Sequence, residues 1–100
     1  MQFVIKAYDG TDPDVLPRRM SVRPDHLAYL SKATKEGHII CAGGLLNDEG
    51  KLKGSCLITE FESREALDEF MKNEPYVIAD VWQDITVDRI NVLVSGSKEL

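Results

Sequence analysis

The side chain best suited to move a proton near neutral pH is His26, because an arginine, Arg23, lies three residues before it. Imidazole titrates closer to neutrality than any other ordinary side chain, so it serves as general acid or base. If both residues lie on a helix they are neighbours on its surface, and the guanidinium could hold an anionic oxygen of a substrate. An arginine at the edge of a core-facing stripe needs an anionic partner, since an unpaired buried charge is expensive. That partner is either a protein carboxylate or one carried by a ligand. The competing expectation is structural: a half-buried histidine bonded to backbone, beside an ordinary ion pair. Glu74, Asp80 and Asp84 are the candidates to orient the imidazole, whereas Asp25 adjoins it in sequence but points elsewhere on a helix. Glu74-Pro75-Tyr76 reads as a helix boundary, where side chains often rim pockets. Tyr76 and Trp82 would line a pocket or a dimer seam, or pack in the core.

Other chemistries find less support. Gly43 and Gly44, at the end of a strand, would allow a ligand or backbone to approach closely, or simply bend the chain into a hairpin. Cys41 and Cys56 are expected opposite each other across that hairpin, as thiols among small core residues, with no activating neighbour. His38 should begin a strand and be exposed. No metal site is expected, because the histidines lie far apart with no ligand at metal spacing. Glycine-rich phosphate loops and nucleophile elbows are absent from the sequence.

The elements that must carry these residues follow from periodicity. Gln2–Tyr8 alternates as a strand, with Phe3, Ile5 and Ala7 on its apolar face. After the break at Asp9–Pro13, the prolines Pro17 and Pro24 argue against one uninterrupted helix. A helical turn near Asp14–Met20 and a main helix from Pro24 to about Glu36 are expected instead, the latter closed by Gly37. Their apolar stripe would run through Leu16, Met20, Leu27 and Leu30, with Arg23 in register. His38–Leu45 and Gly54–Phe61 read as strands joined through Asn47–Lys51. Ser63 caps a helix that buries Ala66, Leu67, Phe70 and Met71, and Pro75 opens a further helical turn to about Asp80. A long last strand is expected over Trp82–Val94, bulged near Asp88 and Arg89.

This order, βαββαβ, is that of a ferredoxin-like α+β domain: an antiparallel sheet with both helices on one face. Residues 1–95 should form this single domain and residues 96–100 a flexible tail. The opposite sheet face carries enough apolar side chains that a second copy of the chain is the simplest cover for it, giving a homodimer.

Composition narrows the partners. The chain of 100 residues carries a net charge of −5, from 12 Lys and Arg against 17 Asp and Glu. Nucleic-acid binders usually carry a basic stripe, and here only Arg18, Arg19 and Arg23 cluster, enough for one small anion. No run approaches the roughly 18 apolar residues of a membrane span, and the first residues carry no targeting pattern. A cytoplasmic protein that meets neither nucleic acid nor membrane is expected.

Arg19-Met20-Ser21-Val22-Arg23-Pro24-Asp25-His26-Leu27, then Ala42-Gly43-Gly44, then Glu74-Pro75-Tyr76-Val77 and Val81-Trp82, resembles the YciI-like (YCII-related) proteins over nearly the whole chain. The resemblance implies a dimeric α+β barrel of ferredoxin-like subunits. It also implies a histidine paired with an aspartate in a cleft proposed as an active site. Most members have no assigned reaction, a dehydrochlorinase of a chlorinated hydroxyquinol being an exception; muconolactone isomerase is more distantly similar in fold. By position, His26 takes the place of the family's histidine, and Arg23 and Gly43 its common flanking positions. Glu74 stands where the family usually has Asp, and Asp80 where many members have Gly.

Two functions are therefore weighed, against a purely structural dimer whose cleft is incidental. One is a cofactor-free lyase or isomerase acting on a small anionic compound, aromatic or lactone-like. In it His26 moves the proton, Glu74 or Asp80 orients the ring, and Arg23, Gly43 and Tyr76 bind substrate. The other is a regulatory or ligand-binding dimer that uses the same pocket without turnover.

Overall fold

The computed structural model describes residues 1–96. Strand β1, Gln2–Asp9, keeps the expected alternation: Phe3, Ile5 and Ala7 are buried, and Lys6 is exposed. Helix α1 spans Val15–Lys35 without a break, which corrects the expectation of two helical pieces. Pro17 is the third residue of α1, where its missing N–H is one that no helix satisfies internally. Pro24 lies in the interior and removes one bond, a loss of about 3 kcal/mol relative to alanine. Tertiary anchors on both sides hold the helix together across it: Arg19 is ion-paired to β1, and His26 is bonded to the far end of the chain.

Continuity through Pro24 also sets which side of α1 faces inward. Arg19, His26 and Ala33, seven residues apart, are the buried positions, with Val15, Val22 and Leu30 packed against the core. Of the stripe expected to be buried, Leu30 packs inward, but Leu16, Met20 and Leu27 are exposed.

Strands β2, Ile39–Leu46, and β3, Leu52–Glu60, form the expected hairpin. Its turn is held by the Asn47 carboxamide oxygen, which accepts from the backbone N–H groups of Glu49 and Lys51, with Gly50 in the left-handed region at φ 79°. Leu46 faces Leu52 at the turn, and an extra residue in β3, Lys53, then shifts the pairing by one, so Cys41 faces Ile58 and Gly43 faces Cys56. The two thiols are thus offset rather than opposite, both free. Neither lies in the core: Cys41 is exposed and Cys56 half-buried.

Helix α2, Arg64–Lys72, starts at Ser63, whose hydroxyl accepts from the Ala66 N–H at 3.1 Å. It buries Leu67, while Ala66, Phe70 and Met71 pack on the core cluster, as expected. Helix α3, Pro75–Ile78, is a single turn capped by Glu74. Strand β4 ends at Arg89 rather than Val94. Beyond it Ile90 and Val92 bond the backbone oxygen and side-chain oxygen of Gln2, so the chain leaves the ladder at the end of β1. His38 is half-buried, with its ring stacked on Phe61.

The sheet order is β2-β3-β1-β4, all neighbours antiparallel. This is the ferredoxin-like arrangement. Ile5 pairs with Leu57 on one side and Val87 on the other, and this inner row meets the helices. Val4 and Ile58, paired on the other face, are only half-buried. Of the expected tail, residues 97–100 lie outside the described residues. Among the described residues, no helix is long and apolar enough to cross a membrane.

Candidate active site

The inward register of α1 places His26 over the end of the sheet where α3 begins. Its Nδ1 lies 2.7 Å from Glu74 Oε1, and the Glu74 side chain is completely buried. The same oxygen accepts from the Tyr76 N–H at 3.3 Å, so the carboxylate that meets the imidazole also caps α3. Pro75 fixes that cap because its ring presets the first helical φ. Glu74 Oε2 has no partner among the described residues. With Nδ1 engaged by a carboxylate, Nδ1 holds the proton, and Nε2 is the nitrogen left to act as base.

Aromatic rings fix the imidazole plane. Tyr76 stacks on it with centroids 3.7 Å apart and planes within 6°. Trp82 presents its edge at 5.5 Å. Tyr76 and Trp82 are both in the core, and Tyr76 also lines the cavity beside the imidazole. Burial pushes the Tyr76 hydroxyl above its ordinary value, partly opposed by the cations Arg19 and Arg23. Tyr76 is therefore a neutral donor near pH 7.

His26 opens on a cavity of about 180 Å³. Helix α1 contributes Arg19, Arg23, His26, Leu27 and Leu30; β2 contributes Ala42, Gly43 and Gly44; β3 contributes Leu52, Ser55 and Leu57; α3 contributes Tyr76. An apolar cavity of about 150 Å³ accommodates benzene, so this space suits one substituted ring. The paired glycines play different parts. A Cβ on Gly44 would displace the flexible end of Leu52, meeting its Cδ2 at 2.3 Å, whereas a Cβ on Gly43 would meet nothing within 4 Å.

The three candidate orienting carboxylates separate clearly. Glu74 reaches the ring. Asp80, in the left-handed region at φ 58°, instead engages other residues: its backbone oxygen accepts from Arg18 and Gln83, and its carboxylate from Gln83. Asp84 pairs with Tyr8 in the ladder, on the face away from the helices. Arg23 lines the cavity but is exposed, with no ion pair among the described residues. The buried arginine is Arg19, which the sequence places in a cluster fit for one small anion without singling it out. Its signal was present: it lies seven residues before His26, and Asp9 continues the inward parity of Phe3, Ile5 and Ala7. Arg19 Nε donates to Asp9 Oδ2 at 2.7 Å. Among the described residues, no group of three or more His, Cys, Asp and Glu side chains is placed to hold a metal ion.

The sequence profile of the YCII-related domain matches residues 1–91. The chain belongs to the YCII-related family. This YCII-related chain is 41% identical over 93 residues to protein YciI of Escherichia coli O6:H1, covering 87% of this chain and 93% of that protein. In structure it is similar to 5-chloro-2-hydroxyhydroquinone dehydrochlorinase from Burkholderia phenoliruptrix AC1100, solved in complex with 2,5-dihydroxybenzoquinone. That likeness has a TM-score of 0.78 at 28% identity, over 91% of this chain and 94% of the other. A dimeric ferredoxin-like protein of unknown function from Jannaschia sp. CCS1 shares the fold, with a TM-score of 0.50 at 15% identity over 91% and 98% of the two chains. The dehydrochlorinase likeness ties this YCII-related chain to a fold group that includes a lyase-type enzyme.

Proposed function

We propose that the chain is a lyase- or isomerase-type enzyme in which His26, oriented by Glu74, transfers a proton to and from a small anionic ring compound. The observation that carries this reading is the 2.7 Å bond between a wholly buried carboxylate and an imidazole that opens on a ring-sized cavity. Glu74 fixes the tautomer, and its negative charge stabilises the imidazolium that forms when Nε2 takes a proton. Removal of an acidic proton leaves an enolate or phenolate. That anion then expels a leaving group or accepts a proton back at another carbon. Arg23 at the cavity mouth attracts the anionic substrate, Tyr76 forms a wall, and the Gly43 backbone lets the ring approach β2. The structural relative solved with a dihydroxybenzoquinone supports hydroxylated rings as the substrate class. The half-buried apolar face of the sheet supports a homodimer.

The test is proton exchange. Hydroxylated six-membered rings, 5-chloro-2-hydroxyhydroquinone among them, are incubated with the protein in D2O and followed by proton NMR, with chloride release measured in parallel. Wild type should exchange a ring proton or release chloride, and His26→Gln should slow either process by about 10²–10⁴-fold. Equal rates in the two proteins would remove His26 from the chemistry. Tight binding of such a ring with neither exchange nor chloride release would favour the non-catalytic binding module.

A further inference from the structure

The cavity has a second polar end that the proton transfer does not use. Arg19 is only 5% exposed, yet it lines the cavity. Its Nε is spent on Asp9 at 2.7 Å, which fixes the plane of the guanidinium. Its two terminal nitrogens are not well spent. They reach the Tyr76 hydroxyl, the Gly54 backbone oxygen and the Ser55 hydroxyl, each at 3.4 Å. A well-made N–H···O bond is nearer 2.9 Å, so these contacts are stretched and can be exchanged for a better acceptor.

The direction of these bonds matters more than their length. Because the guanidinium donates to the oxygens of Tyr76 and Ser55, both hydroxyls act as acceptors toward it. Each is left with an O–H to donate, and no described residue accepts from either. Burial keeps the Tyr76 hydroxyl protonated. Donor capacity from a buried arginine, a serine and a tyrosine therefore gathers at one side of a ring-sized space. Asp9 balances the cation through Oδ2.

We infer that Arg19, Ser55 and Tyr76 form an oxyanion subsite, which holds an ionised ring oxygen of a planar enolate or phenolate while His26 faces the remainder of the ring. Arg19 is thus the positioning arginine, and Arg23 serves entry. The pairing with His26 rests on the acid–base reading above, since Tyr76 belongs to both ends: its hydroxyl contacts Arg19, and its ring stacks on the imidazole. Charge that develops on the ring as a proton leaves is met by donors already aligned, which is where a preorganised site lowers a barrier most.

Binding separates this inference from catalysis. Calorimetric titration with 2,5-dihydroxybenzoquinone, an anion at neutral pH, is compared with its uncharged dimethyl ether. Ser55→Ala and Tyr76→Phe remove one O–H each and little volume, and Arg19→Lys keeps the charge beside Asp9 but loses the fork. Each should weaken the anion about tenfold to a hundredfold, the range for a hydrogen bond to a charged group. Binding of the ether should change less than about threefold. His26→Gln should keep the anion bound while losing proton exchange, so failure of the acid–base reading is visible on its own. Three results would overturn the subsite: no binding of the anion to wild type, anion affinity unchanged in Ser55→Ala and Tyr76→Phe, or equal losses for anion and ether.

Discussion

A double-mutant cycle on His26 and Glu74 tests whether the two side chains act as one buried unit. Their bond is 2.7 Å long, with the side chains 8% and 0% exposed. Truncating either one alone to alanine strands its partner away from water, a loss of about 3–5 kcal/mol for a buried pair. Glu74→Ala also loses the acceptor for the Tyr76 N–H, about 1 kcal/mol as a helix cap. That cap contribution appears in both the single and double variants and cancels in the cycle. Once one partner is gone, removing the other relieves a stranded polar group. The double variant should therefore be more stable than additivity predicts by about 2–3 kcal/mol, within the range of contacting residues. Trp82, the only tryptophan, is 3% exposed and edge-on to the imidazole, so its fluorescence in urea reports unfolding directly. Additivity to within 0.5 kcal/mol would mean that the pair is not coupled, and the proton relay built on it would fall.

Further outcomes follow from the same structure. Pro24→Ala restores an interior helix bond, and after allowing for the freer unfolded chain it should stabilise by about 2 kcal/mol, seen as a rise in Tm of roughly 8–16 °C. Gly44→Ala should fold normally, because the clashing Leu52 Cδ2 ends a flexible side chain, but should weaken ring binding by calorimetry as Leu52 is pushed aside. Gly54→Ala should instead lower stability to urea by about 3 kcal/mol, because its Cβ would sit 2.3 Å from the Ala7 backbone oxygen in the middle of the sheet. Burial and nearby carboxylates raise the Tyr29 hydroxyl, which donates to the Phe70 oxygen at 2.8 Å, above its ordinary value of 10.0. The folded state thus keeps this proton longer than the unfolded chain does. Stability should be full below pH 10 and fall as pH rises through the folded titration, more steeply in wild type than in Tyr29→Phe.

Local chemistry made much of the fold legible. Alternation gave β1 its inward Phe3, Ile5 and Ala7, the Asn47–Lys51 stretch marked the hairpin, and Ser63 and Glu74-Pro75 each marked a helix start at the residue that caps it. What escaped was set by contacts remote in sequence. Helix α1 runs through Pro24 because Asp9 and Glu74 hold it from two sides, and no local propensity reports that. Once the helix is continuous, the inward stripe shifts from Leu16, Met20 and Leu27 to Arg19, Val22 and His26. The error about α1 and the neglect of Arg19 are therefore one error. The position of the cysteines likewise turned on where the hairpin turn centres and on a single unpaired residue, Lys53, which local pattern does not reveal. At the site, motif and helix spacing singled out His26 and Glu74, but only coordinates could separate Glu74 from Asp80 and Asp84.

Glu74 Oε1 serves two donors at once, an imidazole and the first turn of a four-residue helix. Fraying of that turn and loss of the imidazole's partner are consequently the same event. So short a helix opens more readily than the sheet beneath it. Warming should part the imidazole from its carboxylate while most of the secondary structure still looks intact, and any ligand that steadies the turn will raise the temperature at which they part.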